Sequence, residues 1–308
     1  MKLLQACLPE ILDARMIYVS SSTLQSVSLE NCIEELIGVG IRNIELSGGP
    51  KFHGDISDAL TRYKEEHHLN FLIHNYFPPP EDDFVLNIAS PNSKFRAKSV
   101  DFIKTSINLA HELGIDSYTV HAGYARDLRP ARNGDYFVPD GPVGISKQSA
   151  SDFMYQSLCL IAEHAVARGI RIGLENLFPM NDALDCSLLC TPSEIHQFLA
   201  RTANDDNVGL LLDMGHLCIS SNFFGFDKDE FIRSLNEEYQ RKIFGIHLSE
   251  NDGKIDQHGP LCPDSWQLTA TRSFDLAKTS VTVECRGLET EDALGQFRIV
   301  EDVLGREV

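Results

Sequence analysis

The stretch SASDFMYQSLCLIAEHAVARGIRIGLE, residues 149–175, contains the unit from which the fold is read. Ala150, Met154, Leu158, Ile161 and Ala165 recur three or four positions apart, the apolar stripe of an amphipathic helix. Gly169 falls where such a helix stops. RIGLE then gives a short buried strand that closes on a carboxylate, Glu175. A helix, a glycine stop and a short apolar strand make up the repeat of a parallel sheet covered by helices.

The same unit returns along the chain. Strand candidates are LLQACL (3–8), IRNIEL (41–46), NFLIH (70–74), SYTVH (117–121), RIGLE (171–175), VGLLLD (208–213), KIFGIH (242–247) and VTVE (281–284). Helical segments such as SLENCIEELIGVG and SKFRAKSVDFIKTSINLAHELG lie between them, with Gly40 and Gly114 at their stops. Eight βα units in a chain of 308 residues predict an α/β fold, a single (β/α)8 TIM barrel spanning residues 1–308 as one domain. An open doubly wound sheet would carry a glycine-rich phosphate fingerprint after its first strand, and none follows LLQACL. Two connections stand out. NYFPPPEDD (75–83) is stiffened by Pro78, Pro79 and Pro80, and GYARDLRPARNGDYFVPDGPVG (123–144) reads as a long polar loop.

The formal net charge of −18 repels polyanions and lowers the expectation of non-specific nucleic-acid or anionic-membrane binding. No stretch reaches the roughly 20 apolar residues of a membrane helix. Eight scattered cysteines with no CxxC pair point to free, mostly buried thiols and a reducing cytoplasm.

Seven strand candidates finish on an acidic or metal-capable side chain: Glu45, His74, His121, Glu175, Asp213, His247 and Glu284. In a barrel every parallel strand points its C-terminal end at one face, so these groups converge on a single rim. Carboxylates that close repel unless a cation sits among them. The segment IHLSENDGKIDQHGP (246–260) adds Asp256 and His258 in a D-x-H spacing, and Asp213 with His216 forms D-x-x-H. Mixed carboxylate and imidazole donors without thiolate suit zinc, manganese, cobalt or iron better than calcium or magnesium. The cofactor expected is therefore a divalent metal, zinc or manganese/cobalt. For an anionic substrate group, Arg126, Arg129 and Arg132 lie in the fourth loop, and Arg286 follows Glu284.

These residues resemble the xylose-isomerase-like TIM barrel superfamily, which contains sugar isomerases, ketose epimerases and endonuclease IV. In the epimerase branch four ligands hold one metal, and the matching positions are Glu175 in GLEN, Asp213 in LLDMGH, His247 in GIHLSEND and Glu284 in VECRG. In the endonuclease IV branch nine ligands hold three zinc ions, and the chain offers His74, His121, Glu175, Asp213, His216, His247, Asp256, His258 and Glu284. The resemblance thus implies one to three ions. VLNIASPNSKFRAKSV also looks like the stretch after the third strand of that branch. Two loops depart from it. ENLFPMNDA stands where that branch has a glycine-rich turn, and Gln257 stands where it has an arginine. Those are the loops that would approach DNA.

The resemblance implies a metal-dependent isomerase or epimerase of a small sugar or sugar phosphate. Glu175 and Glu284 would exchange the proton beside a metal-stabilised enediolate, and His216 would orient a hydroxyl. The alternative is a trinuclear zinc phosphodiesterase acting on abasic nucleic acid. The partner expected is a small carbohydrate, phosphorylated or not, with nucleic acid only under the alternative, no membrane, and a homo-oligomer compatible with either.

Overall fold

The computed structural model describes residues 16–51, 55–80, 84–130, 137–180 and 185–305. The chain runs β1 (Ile17–Ser20), α1 (Leu29–Gly38), β2 (Asn43–Leu46), α2 (Ile56–His67), β3 (Asn70–His74), α3 (Ser93–Glu112) and β4 (Ser117–His121). It continues through β5 (Arg126–Pro130), β6 (Phe137–Gly144), α4 (Lys147–Val166), β7 (Arg171–Glu175), α5 (Pro192–Arg201), β8 (Val208–Asp213), α6 (Met214–Phe224) and α7 (Lys228–Tyr239). The last elements are β9 (Ile243–Leu248), α8 (Trp266–Thr271), β10 (Ser280–Val283) and α9 (Thr290–Gly305). The strands β1-β10-β9-β8-β7-β4-β3-β2 close into a parallel barrel of eight, with helices between them, the (β/α)8 barrel expected.

Local chemistry sets the helix ends. Ser146 caps α4 by accepting from the Ser149 N–H, and the buried side of that helix carries Ala150, Met154, Leu158, Ile161 and Ala165, the stripe read from the sequence. Past its end Gly169 takes φ 70°, a left-handed turn into β7 that a side chain would strain. Helix α5 opens with a capping box between Thr191 and Glu194, with Pro192 where its missing N–H is not needed.

Two expectations change. The first barrel strand is Ile17–Ser20, and LLQACL lies outside the described residues. IYVS is only four residues, runs directly into serines and ends on no acidic group, so it lacks the pattern that marked the other strands. The fourth connection is also not a plain loop, because β5 and β6 pair antiparallel, Arg129 opposite Val138 and Pro130 opposite Phe137. Its proline and glycine content hid the pairing. Asn87 fixes the base of this hairpin: its amide donates to the Tyr124 and Arg126 carbonyls and accepts from the Tyr124 and Ala89 N–H groups, at 2.9–3.0 Å. Among the described residues the cysteines are free thiols, with Cys32, Cys186, Cys190 and Cys285 buried, and Cys159 and Cys262 exposed. No helix of the described residues is long and apolar enough to cross a membrane.

Near the end of the barrel opposite the strand C-termini, β8 and β9 approach closely at Gly209. A Cβ there would lie 2.4 Å from the Lys242 carbonyl and 2.7 Å from Cζ of Phe244. The Lys242 backbone cannot retreat easily, since its Nζ donates to the carbonyls of Thr202 at 2.7 Å and Asp205 at 2.6 Å. Gly209→Ala is expected to destabilise the fold by about 1–3 kcal/mol, the usual range for overpacking. The measurement is a urea midpoint that falls with unchanged slope, and an unmoved midpoint would show that the strands part without strain.

Candidate metal centre

Closure of the barrel brings all nine sequence-predicted donors together at the strand C-termini. Register does much of this: His121 pairs with Glu175 across β4 and β7, and Asp213 with His247 across β8 and β9. Glu175 sits at the middle, 1% exposed. Its Oε2 lies 3.4 Å from Nε2 of His74 and 3.2 Å from Nε2 of His121. Its Oε1 lies 3.4 Å from Nδ1 of His216 and 3.9 Å from Nδ1 of His247. His247 Nδ1 also faces Asp213 Oδ2 at 3.9 Å and Glu284 Oε2 at 3.1 Å. Three overlapping sets each bring their donor atoms within 4.8 Å of one another: His74, His121 and Glu175; His74, His247 and Glu284; and Glu175, Asp213, His247 and Glu284.

Asp256 and His258 arrive from the connection after β9, which is folded back by reciprocal backbone hydrogen bonds between Glu250 and Gly259 of 2.9 and 2.7 Å. Asn251 ties the same segment to the Gly215 carbonyl at 2.9 Å. Asp256 Oδ2 then lies 2.7 Å from His258 Nε2 and 3.6 Å from His216 Nε2.

The chemistry of these atoms fits a cation. Glu175 Oε2, Asp213 Oδ2, His247 Nδ1, Asp256 Oδ1 and His258 Nε2 are all buried and make no directed hydrogen bond. Buried lone pairs without a donor are strongly disfavoured, and a cation satisfies several at once. The imidazoles are oriented for it from behind. His74 meets Thr119 Oγ1 at 2.9 Å through Nδ1, His216 meets the Asn176 carbonyl at 2.8 Å, and His258 meets the Glu284 carbonyl at 3.0 Å. A carbonyl can only accept, so Nδ1 of His216 and of His258 carries a proton, and Nε2 is the nitrogen each turns toward Asp256 and would offer to an ion. His258 Nε2 and Asp256 Oδ2, 2.7 Å apart, are held by a proton or a cation between them.

Protons are distributed unevenly over the cluster. Burial pushes the Glu175 carboxyl well above its ordinary value, although His216 and His247 pull the other way. Burial lowers the His74 imidazole strongly and brings His121 down to about 3, so both stay neutral at physiological pH. For His216 and His247 burial is outweighed by carboxylates, Asp213 for the first and Glu45 and Glu284 for the second, and both are held well above the ordinary histidine range. Cation binding in such a set displaces protons.

The residues that reasoning on the sequence passed over are the supports. Asn176 accepts the Asp213 N–H at 2.7 Å and donates to the Asp213 carbonyl at 3.0 Å, locking β7 to the end of β8. Its position directly after Glu175 was the available signal. The ring of Phe178 stands 4.7 Å from that of His216. Glu45 does not join the ligand sets of the rim; it is 2% exposed and hydrogen-bonds Nε2 of His247 at 3.0 Å. Of the arginines, Arg286 is placed nearest, its guanidinium 3.8 Å from Glu284 Oε1. Arg126 is half-buried in β5, Arg129 is exposed on the same strand and reaches the Pro130 carbonyl, and Arg132 lies outside the described residues.

A barrel of this closure with carboxylate and imidazole donors on its C-terminal rim is the form of a xylose isomerase-like TIM barrel. The profile of that family matches residues 35–266, and the chain belongs to it. Among curated proteins, the uncharacterized protein MJ1311 of Methanocaldococcus jannaschii is 26% identical over 199 residues, covering 65% of this chain and 57% of that protein. The chain thus matches little more than half the length of that relative. Among solved structures, a D-tagatose 3-epimerase-like protein superimposes with a TM-score of 0.71 at 21% identity, covering 94% of this chain and 97% of the other. The IolI protein with a bound zinc atom gives 0.67 at 19% identity over 94% and 98% of the two chains. The 3-keto-D-glucoside 4-epimerase YcjR of E. coli gives 0.66 at 14% identity over 95% and 100%.

Asp213 tests the centre without disturbing its scaffold. One oxygen, Oδ1, caps α6 by accepting the His216 N–H at 2.6 Å, while Oδ2 faces the other donors. Asp213→Asn keeps a good cap and is expected to retain the metal-free stability but lose Zn2+ affinity. Asp213→Ala should lose about 1 kcal/mol in addition, the usual contribution of an N-cap. Urea melts in chelator and Zn2+ titrations separate the two, and an Asn variant that binds Zn2+ like wild type would remove Asp213 from the centre.

Proposed function

We propose that the chain is a divalent-metal-dependent isomerase or epimerase of a small carbohydrate, free or phosphorylated. The observation that carries the reading is the buried group Glu175, Asp213, His247 and Glu284, four donors within 4.8 Å of one another on one barrel rim. Glu175 Oε2, Asp213 Oδ2 and His247 Nδ1 among them lack a directed hydrogen bond. The carbohydrate is supported by fold relatives whose names are those of sugar epimerases. A divalent ion held by these four residues supplies Lewis acidity to adjacent hydroxyl and carbonyl oxygens. Glu175 and Glu284 stand on β7 and just past β10 and reach the rim from different sides, so they suit removal and return of a proton at the carbon between those oxygens. His216, fixed by the Asn176 carbonyl, orients a substrate hydroxyl through Nε2. Arg286, beside Glu284 and half-exposed, is the residue best placed to take a phosphate.

A second reading, phosphodiester hydrolysis, is favoured by a separate observation. Both oxygens of Glu175 face imidazoles, and Asp256 lies between His216 and His258, so the donor set exceeds what one ion needs. The net charge of −18 weighs against a polyanionic substrate.

The test combines metal content with isotope exchange on protein purified without chelator. Proton transfer at carbon is expected to carry deuterium from D2O into a ketose or ketose phosphate, with Glu284→Gln abolishing the exchange while the cooperative melt survives. One ion per chain accompanies this outcome. Three zinc ions per chain, no exchange into any sugar tried, and metal-dependent nicking of an abasic-site oligonucleotide would replace it with the hydrolase.

A further inference from the structure

We propose that Glu45 is a positioning residue of the metal centre, holding the tautomer and orientation of His247 from beneath the ring of donors and so setting how tightly the centre keeps its ion. The proposal rests on the metal reading above and adds a residue that lies outside the donor sets.

Glu45 occupies β2 and His247 occupies β9, and in the closed order β1 and β10 stand between them. The contact therefore crosses the barrel interior instead of joining paired neighbours. Both side chains are buried, Glu45 at 2% exposure and His247 at 0%. Glu45 Oε2 lies 3.0 Å from His247 Nε2 and 3.1 Å from the Thr282 hydroxyl. A carboxylate offers only acceptors, so at that distance the imidazole donates and its proton resides on Nε2. The nitrogen left to give up its proton to an ion is then Nδ1, the atom that faces Glu175, Asp213 and Glu284 and makes no directed hydrogen bond of its own. The opposite tautomer would turn an N–H toward the ion.

Thr282 makes the arrangement rigid. It is the register partner of His247 in the β10–β9 pairing, so the hydroxyl that steadies Glu45 and the imidazole that Glu45 steadies come from adjacent positions of one sheet. The distal nitrogens of His74, His216 and His258 meet neutral groups instead, a hydroxyl and two backbone carbonyls. A carboxylate behind a ligating imidazole increases its basicity more than a neutral acceptor does. A residue retained only for packing would have no need of a carboxylate there, because an apolar side chain of similar size avoids the desolvation that burial imposes.

The experiment uses the full chain, stripped with chelator, dialysed and titrated with Zn2+ against a chromophoric chelator. Wild type is compared with E45Q and E45A, and E284Q serves as the ligand-loss control. Removing a group behind a ligating histidine weakens metal binding about 10–100-fold, so E45Q is expected near the lower figure and E45A near the upper. The metal-free melting temperature of E45Q should match wild type, and the visible absorption of the Co2+ form should shift in E45Q, a readout that packing does not move. If E45A does not fold, E45Q carries the test. Wild-type Zn2+ affinity in E45Q overturns the proposal, as does an E45Q that loses metal-free stability in step with affinity. A wild-type chain that takes up no Zn2+ would instead overturn the metal reading beneath it.

Discussion

Five imidazoles and four carboxylates share one desolvated ring in this protein, and the constraint on the whole rim is that their charges and lone pairs must balance there. Hydrophobic packing supplies the stability that allows it. Val19, Ile44, Ile73, Val120, Leu174, Leu212, Ile246 and Val283, all at most 1% exposed, alternate with the inward-facing positions of their strands and pack on the helix side of the sheet. Parallel register then sets the spacing, since the side chains of adjacent strand ends cannot slide apart without breaking the ladder. Balance among the polar groups is local: Glu175 is held above its ordinary pKa by burial while the carboxylates around His216 and His247 keep those imidazoles above theirs. A set poised in that way is chemically suited to give up protons to a cation.

The supports explain why the rim can be built from loops as well as strands. Asn176 joins β7 to β8, and the doubled-back segment from Glu250 to Gly259 carries Asp256 and His258 in over the ring. His258 takes φ 47° to do so, a left-handed conformation uncommon for a residue with a side chain. The same backbone turn lets its Nδ1 reach the Glu284 carbonyl. Strain at that position is offset by a hydrogen bond that also orients the imidazole.

Much of this was legible in the sequence because both signals were short-range. Strands such as NFLIH, SYTVH, RIGLE and VGLLLD end within one residue of where the apolar run meets its polar terminus, and those termini are the donors. What escaped was information held between distant segments. The strand Ile17–Ser20 is identified by its partners, β2 and β10, and hardly by its own four residues. The hairpin of β5 and β6 is held by Asn87, whose role cannot be read from NIASP alone. Glu45 ended an apolar run as the donors of the ring do, yet its side chain contacts His247 from outside their sets, because strand end and side-chain depth are separate quantities. Of the arginines that looked like a cluster in the fourth connection, Arg126 and Arg129 lie on one strand of the hairpin, the first half-buried and the second exposed.

The bonding of Asn87 leads to a point about chemical lifetime. All four hydrogen-bonding positions of its amide are engaged, two donated to carbonyls and two accepted from N–H groups. Hydrolysis of that amide to a carboxylate would leave the acceptances intact and abolish both donations, setting a negative charge against the Tyr124 and Arg126 carbonyls in a residue 1% exposed. Because Tyr124 stands 3.5 Å from His121, the damage would reach the donor ring. Deamidation at this internal amide, read as a mass gain of one unit at Asn87, would thus loosen the hairpin base and the donor ring beside it together.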